Sequence, residues 1–188
     1  MKTGIEKFDN VISNETCDLL INHIENNMDK TVDLEYGSSN KHEFNNVICK
    51  ELFLNIKSEL DHLVHESIVK VVDLYSEQYQ FFNCIGDVGY QLRRISGETR
   101  EHIDNLHSIH ENHTVRNVSI ILGLNSDYQN GEFHFPLQDF STTVKRGEAI
   151  VFPVYFMYPH YVDAPIGYRY TINTWITEYL PTHVRSSP

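Results

Sequence analysis

From about residue 84 onward the chain is a succession of short runs rich in Val, Ile, Tyr, Phe and Thr, and this texture limits the possible folds more than any other feature. "VGYQLRRI", "TVRNVSIILGL", "GEFHF", "GEAIVFP" and "RYTINTWITEY" are each about a strand long, with Gly, Asn, Asp and Pro between them. β-Branched and aromatic residues suit a pleated, half-buried surface, and the separators are turn formers. "NSDYQNGEF" predicts a turn at Asn130-Gly131 just before a strand. Many short strands with regular turns predict a sandwich, jelly roll or barrel.

The first part of the chain follows another period. In "SNETCDLLINHIENNM", Cys17, Leu20, Ile21, Ile24 and Met28 recur at helical spacing, with Ser13 or Asn14 as N-cap. In "ELFLNIKSELDHLVHESIVKVVDLYSEQY", a longer stripe runs through Ile56, Leu60, Leu63, Val64, Ile68, Val71, Val72 and Tyr75. Both predict amphipathic helices with one face on a core. "VDLEYGSSNKHEFNN" between them predicts a loop or short strand. A length of 188 residues supports one sizeable core. The expectation is a single domain over 1–188, mainly β with helices (α+β). Residues 1–83 form a helical support and residues 84–180 a β-rich core.

Charge and composition narrow the function. A formal net charge of -11 disfavours broad phosphate binding, which needs Lys/Arg surface, so a nucleic-acid partner is not expected. One buried cation could still hold a small anion. No run reaches the roughly 18 apolar residues of a membrane helix, and "MKTGIEKFDNVISNETC" lacks the apolar stretch of a signal peptide. Three scattered cysteines, Cys17, Cys49 and Cys84, suit a reducing cytoplasmic setting better than a disulfide framework. Glycosylation-type triplets at Asn14, Asn112 and Asn117 are accordingly set aside. The sequence fixes no oligomeric state.

"GETREHIDNLHS" places His102 and Asp104 two residues apart. If "REHID" ends a strand, both side chains project to one face. Surface decoration is one reading. The other is two thirds of a metal site, because two His and one carboxylate on one face of an ion mark the non-haem Fe(II) oxygenases. A third ligand would come from another strand, and "MYPHYVDAPIGYRYTINTW" supplies His160 after "EAIVFP". Nine residues later stands Arg169, either an edge-strand charge or a buried guanidinium that grips a carboxylate bidentately. Thr171 and Asn173 share its strand face and could complete that grip.

The order H-x-D, roughly 55 to 60 residues, H, nine residues, R, then Trp resembles the Fe(II)/2-oxoglutarate-dependent dioxygenases, most of all the prolyl 4-hydroxylase-like group. "HID" is similar to the first two ligands, and "PHYVDAPIGYRYTINTW" to the distal segment of His, Val, Pro, Gly, basic residue, Tyr and Trp. "IILGLNSDYQNGEFHF" resembles the group's "YLN" and Gly-Gly segment, with Gly123 in place of the tyrosine and Asn130-Gly131 in place of Gly-Gly. "FDNVISNETCDLLINHI" resembles its N-terminal helix. Arg169 matches members with Arg where collagen-type enzymes have Lys. Tyr90 is the nearest candidate for the tyrosine usually found ahead of the first ligand, in a zone that also holds Arg93 and Arg94.

The resemblance implies a double-stranded β-helix (jelly roll). It implies Fe(II) held by His102, Asp104 and His160. It also implies 2-oxoglutarate as co-substrate, seated by Arg169 with Thr171, Asn173 and Tyr90, and O2 as oxidant. The implied reaction converts a C–H bond to C–OH with release of succinate and CO2, and Asp104 favours it over halogenation by filling the ligand position a halide would need. The leading expectation is a hydroxylase of a peptidyl proline or another side chain. Its rivals are a hydroxylase of a free amino acid or small metabolite, a nucleic-acid demethylase, and a non-catalytic β-sandwich binding module. Segments 31–48 and 96–116 are candidate lids, and enclosure would favour the metabolite. The demethylase subgroup usually carries a second Arg six residues after the first, where this chain has Trp175. Trp175 is expected to pack the core, and Arg93 and Arg94 to be solvated strand charges or to line the mouth. Tyr155, Phe156, Met157 and Tyr158 are expected to form an aromatic substrate wall or a cover for the sheet. His107, His110 and His113 are expected to be loop residues; "HSIHENH" matches no standard closed zinc site.

Overall fold

The structure, a computed structural model, describes residues 3–34, 49–104 and 114–179. Its strands in chain order are β1 (Glu6–Phe8), β2 (Val32–Asp33), β3 (Cys49–Phe53), β4 (Gly86–Asp87), β5 (Gln91–Ile95), β6 (Thr99–His102) and β7 (Thr114–Gly123). They continue as β8 (Gln129–Asn130), β9 (Phe133–Phe135), β10 (Phe140–Thr142), β11 (Ala149–Pro153), β12 (His160–Val162), β13 (Pro165–Ile166) and β14 (Arg169–Tyr179). The helices are α1 (Asn14–Glu25) and α2 (Glu59–Gln78). The major sheet runs β1-β11-β7-β14-β5-β3-β2, with β4 also on β14, and the minor sheet runs β10-β9-β12-β6. The expected jelly roll is present, its two sheets face to face.

Strand alternation builds two cores. On β7, β11 and β14, the residues Ile120, Leu122, Ala149, Val151, Ile172 and Ile176 point outward to meet Leu20 and Ile24 of α1 and Val64, Ile68 and Val71 of α2. Their neighbours Ile121, Ile150 and Phe152 point inward to meet Phe133, Phe135 and Val162 of the minor sheet. β7 and β11 are therefore apolar on both faces, as strands covered on both sides must be. The functional groups sit where polar residues break the inward row.

Both helices start as their caps dictate. The Ser13 hydroxyl accepts from the Thr16 amide and the Ser58 hydroxyl from the Asp61 amide, each satisfying a backbone donor that the first turn leaves without a partner. The second helix starts later than its stripe suggested. Residues 49–53 are a strand on β5, and Ile56 is 81% exposed. β1, β2 and β3 likewise join the major sheet, so residues 1–83 are not purely a helical support. Asn130 and Gly131 both have positive φ, 59° and 74°, but Asn130 ends β8 opposite Pro165 and β9 pairs with β10 and β12, so the two residues do not close a hairpin between β8 and β9. Cys17, Cys49 and Cys84 are all free thiols.

Gly123 shows why no tyrosine stands there. A Cβ on Gly123 would lie 2.3 Å from the Lys145 carbonyl oxygen and 2.7 Å from that of Val144. Both neighbours are backbone, and the Gly123 amide and carbonyl are tied to Glu148 and Gly147. Gly123→Ala is therefore expected to lower unfolding stability by about 3 kcal/mol, the upper end of the usual overpacking cost. Urea denaturation checks this; a loss under about 1 kcal/mol would mean that the 144–145 segment yields easily.

Candidate metal centre

β6 and β12 pair antiparallel with His102 directly opposite His160, and the two imidazoles lie 4.4 Å apart between centroids. Asp104 follows two residues after His102. The Asp104 Oδ1 is 3.2 Å from His102 Nε2 and 3.8 Å from His160 Nε2, and one ligand atom from each residue falls within 4.8 Å of the others. Each ring is held from behind. The Nδ1 of His102 is 2.8 Å from the Arg100 carbonyl and that of His160 is 3.1 Å from the Tyr158 carbonyl. A carbonyl only accepts, so both Nδ1 atoms carry hydrogen, and a neutral ring then offers Nε2 as a lone pair to the shared point. His160 is packed between Phe135 and Phe152 and is 2% exposed.

The electrostatics set one ionised carboxylate beside two imidazoles. Burial alone would raise the Asp104 pKa. The hydrogen bond from His102, the charges of His160 and His102 and the Ser119 hydrogen bond reverse this and hold the carboxylate ionised far below its ordinary range. Burial likewise pulls His102 down, but its hydrogen bond and charge pairing with Asp104 raise it overall. In His160 burial wins, and the ring is pushed toward the neutral form. Two imidazole nitrogens and one carboxylate oxygen are the donor set that suits Fe(II) with open positions.

The three residues lie in a cavity of about 400 Å³ with Arg93, Arg116, Ile121, Phe133, Arg169, Thr171, Asn173 and Trp175 among its walls. Arg169 is 2% exposed; its Nη1 donates to the Gly131 carbonyl at 2.8 Å and its guanidinium lies 5.0 Å from the Phe133 ring centroid. Thr171 donates to Asn173 Oδ1 at 2.7 Å, so the three polar residues expected on one face of β14 do share it. A dianionic acid fits this lining, because a guanidinium and polar hydroxyl and amide groups stand in the same cavity as the ligand cluster.

Tyr90 is elsewhere. It is buried with Leu92 in the core beneath the helices, its hydroxyl 2.8 Å from His65 Nδ1 and 2.9 Å from Asp87 Oδ2. The expected co-substrate contact is corrected by strand parity: Tyr90 and Leu92 face the helices, whereas Arg93 and Ile95 face the cavity. Arg93 and Arg94 split the same way. Arg93 lines the cavity, its Nε paired at 2.7 Å with the buried Glu51 carboxylate, and Arg94 turns to Glu25. Tyr155, Phe156 and Met157 are exposed and Tyr158 is half-buried, and none of the four lines this cavity. His107, His110 and His113 lie outside the described residues, as do residues 35–48 of the first lid segment and 105–113 of the second.

Sequence reasoning missed three neighbours of Asp104. Its Oδ2 accepts from the Ser119 hydroxyl at 2.5 Å and from Trp175 Nε1 at 3.2 Å, and its backbone carbonyl accepts from Arg116 Nη1 at 3.2 Å. The Arg116 guanidinium lies 3.7 Å over the Trp175 ring. Trp175, expected as a core residue, is thus part of the cavity wall. A second grouping, Glu132, His134 and Asp163, lies outside the cavity. There His134 bonds Asp163 and Ser141 and stacks on Tyr161.

Comparison with known proteins agrees with this geometry. Residues 90–177 match a family model described as the 2OG-Fe(II) oxygenase superfamily. No curated protein matches the chain. Among solved structures, a viral collagen prolyl hydroxylase from Paramecium Bursaria Chlorella virus-1, in its 2OG complex, is 17% identical over 95% of this chain and 97% of its own, with TM-score 0.69. A Trichoplax adhaerens prolyl hydroxylase, in complex with a hypoxia inducible factor oxygen degradation domain peptide fragment, is 14% identical over 93% and 84%, with TM-score 0.69. A Pseudomonas putida prolyl-4-hydroxylase is 15% identical over 94% of each chain, with TM-score 0.67. At these identities the likeness is one of fold.

Proposed function

We propose that this chain, an oxygenase of the 2OG-Fe(II) superfamily through its residues 90–177, holds iron between His102, Asp104 and His160 and hydroxylates a side chain of a peptide, with peptidyl proline as the first candidate. The observation that carries this reading is the meeting of three ligand atoms within 4.8 Å in a cavity that Arg169 also lines. When bound, iron and 2-oxoglutarate supply the oxidising chemistry: one oxygen atom of O2 enters the substrate, the other enters succinate, and CO2 leaves. The chain's own residues do the rest. Arg169 neutralises and orients the far carboxylate of the keto-diacid. Phe133, Ile121 and Val162 keep the interior dry, which strengthens every charge interaction within it. A cavity of about 400 Å³ takes the co-substrate and one inserted side chain, rather than a large free ligand.

Support for a peptide comes from the structures of like fold, one of which is a complex with a peptide fragment. The test is succinate release in Fe(II), 2-oxoglutarate and O2 with proline-containing peptides in one arm and free amino acids in the other. Mass spectrometry then looks for one added oxygen on the proline. Succinate coupled to the amino acids alone would move the reading to a metabolite hydroxylase.

A further inference from the structure

We infer that Ser119 and Trp175 are positioning residues that keep Asp104 a one-oxygen ligand of the metal. This rests on the proposed metal reading and deepens it. The Asp104 carboxylate is divided in function by its surroundings. Oδ1 faces the two Nε2 atoms, at 3.2 and 3.8 Å. Oδ2 accepts two hydrogen bonds, from Ser119 Oγ and Trp175 Nε1. The donors come from neighbouring strands: Ser119 on β7 pairs across the ladder with Trp175 on β14. Ser119 is 1% exposed and Trp175 6%, so neither donor trades its bond readily for water. Arg116 completes the brace, covering the indole face and holding the Asp104 backbone carbonyl.

The consequence follows from counting positions. An octahedral ion offers six; His102, His160 and one carboxylate oxygen take three, leaving three. A keto-diacid chelate needs two of these and O2 needs the last. A carboxylate binding through both oxygens would remove one. Deprived of its two donors, Oδ2 would be a buried anionic atom short of partners, a costly state. The nearest compensation is the metal itself. Ser119 and Trp175 thus act by giving Oδ2 better partners than the ion.

Mn(II) bound to the full chain without co-substrate provides the test, because the broadening of its EPR lines in ¹⁷O-enriched water counts coordinated waters. The wild type is expected to show three, from six positions less the three protein donors. The Ser119→Ala/Trp175→Phe double variant is expected to show two, with Mn(II) affinity held or tightened. Its anaerobic 2-oxoglutarate affinity should fall about tenfold, the lower end of the usual cost of losing partners of a metal ligand. Ser119→Thr, which keeps the hydroxyl, should return to three waters. Three waters in the double variant, or two in the wild type, overturns the inference. So does a fall in Mn(II) affinity and melting temperature at an unchanged water count, since that marks a merely structural role. The count needs no keto-diacid. A wild type with three waters but no Fe(II)–2-oxoglutarate charge-transfer band would defeat the co-substrate reading while leaving this inference standing.

Discussion

Asp104→Ala is expected to abolish 2-oxoglutarate turnover, with succinate formation falling by more than about a hundredfold, while the jelly roll survives. Loss of an outer partner of a metal ligand already costs about 10- to 100-fold in affinity or activity, and a ligand itself costs more. Asp104 is also the one anionic member of the donor set, so its removal leaves two imidazoles facing a dication. The remaining groups cannot replace it. Ser119 and Trp175 offer hydrogen toward this point, and the Arg116 guanidinium repels a cation. Retention of the fold is expected because Asp104 lies after β6 and belongs to neither apolar core. Turnover above a tenth of wild type would show that the ligand is another residue.

Metal-free melting curves separate ligand loss from unfolding. The folded Asp104 carboxylate titrates below its ordinary value, so its contribution to stability is present above about pH 4 and fades as pH falls through the folded pKa. His102 titrates above its ordinary value, so its contribution is full below about pH 6.5 and fades as pH rises through the folded pKa. The melting temperatures of wild type and Asp104→Ala should therefore differ most between about pH 4 and 6.5 and approach each other on either side.

What the sequence could show here was set by period. His-x-Asp at the end of a strand is readable because side chains two apart share a face, and Arg169, Thr171 and Asn173 obey the same rule on β14. The same rule, applied to Tyr90, would have placed it with Leu92 on the helix side, since Gln91 and Arg93 are the polar partners of that alternation. Arg116 was beyond such reasoning. The ladder pairs Ile176 with Val118 but Thr177 with Arg116, so β7 carries one extra residue at Asn117. This bulge shifts the alternation and lets Arg116 reach the cavity although Val118 faces the helices. Ser119 was hidden for another reason. A lone serine among Val118, Ile120, Ile121 and Leu122 reads as a tolerated small residue until its carboxylate partner is known. β3 was lost to the helical stripe because Glu51 is buried by pairing with Arg93, a contact made across 42 residues of chain.

Arg169→Ala is expected to raise the 2-oxoglutarate requirement by about 30-fold or more while the Fe(II) requirement moves by less than about threefold. Truncating one partner of a buried, hydrogen-bonded charge pair costs about 2–5 kcal/mol, and about 1.4 kcal/mol is tenfold in affinity. Arg169 qualifies on burial, and the Phe133 ring beneath it shields the pair from water. Its neighbours cannot take over. Thr171 bonds to Asn173, and Arg93 is already matched by Glu51. The metal should hardly notice, because Arg169 contributes no donor to the His102–Asp104–His160 cluster. Arg169→Lys adds a graded check: it keeps the charge and loses the planar fork, so its requirement should fall between those of wild type and alanine. Anaerobic titration of the visible Fe(II)–2-oxoglutarate band reads both affinities in one experiment. A parallel loss of iron and keto-diacid binding in Arg169→Ala would assign the guanidinium to holding the Gly131 backbone. Selective loss of the keto-diacid makes it the anchor of the co-substrate.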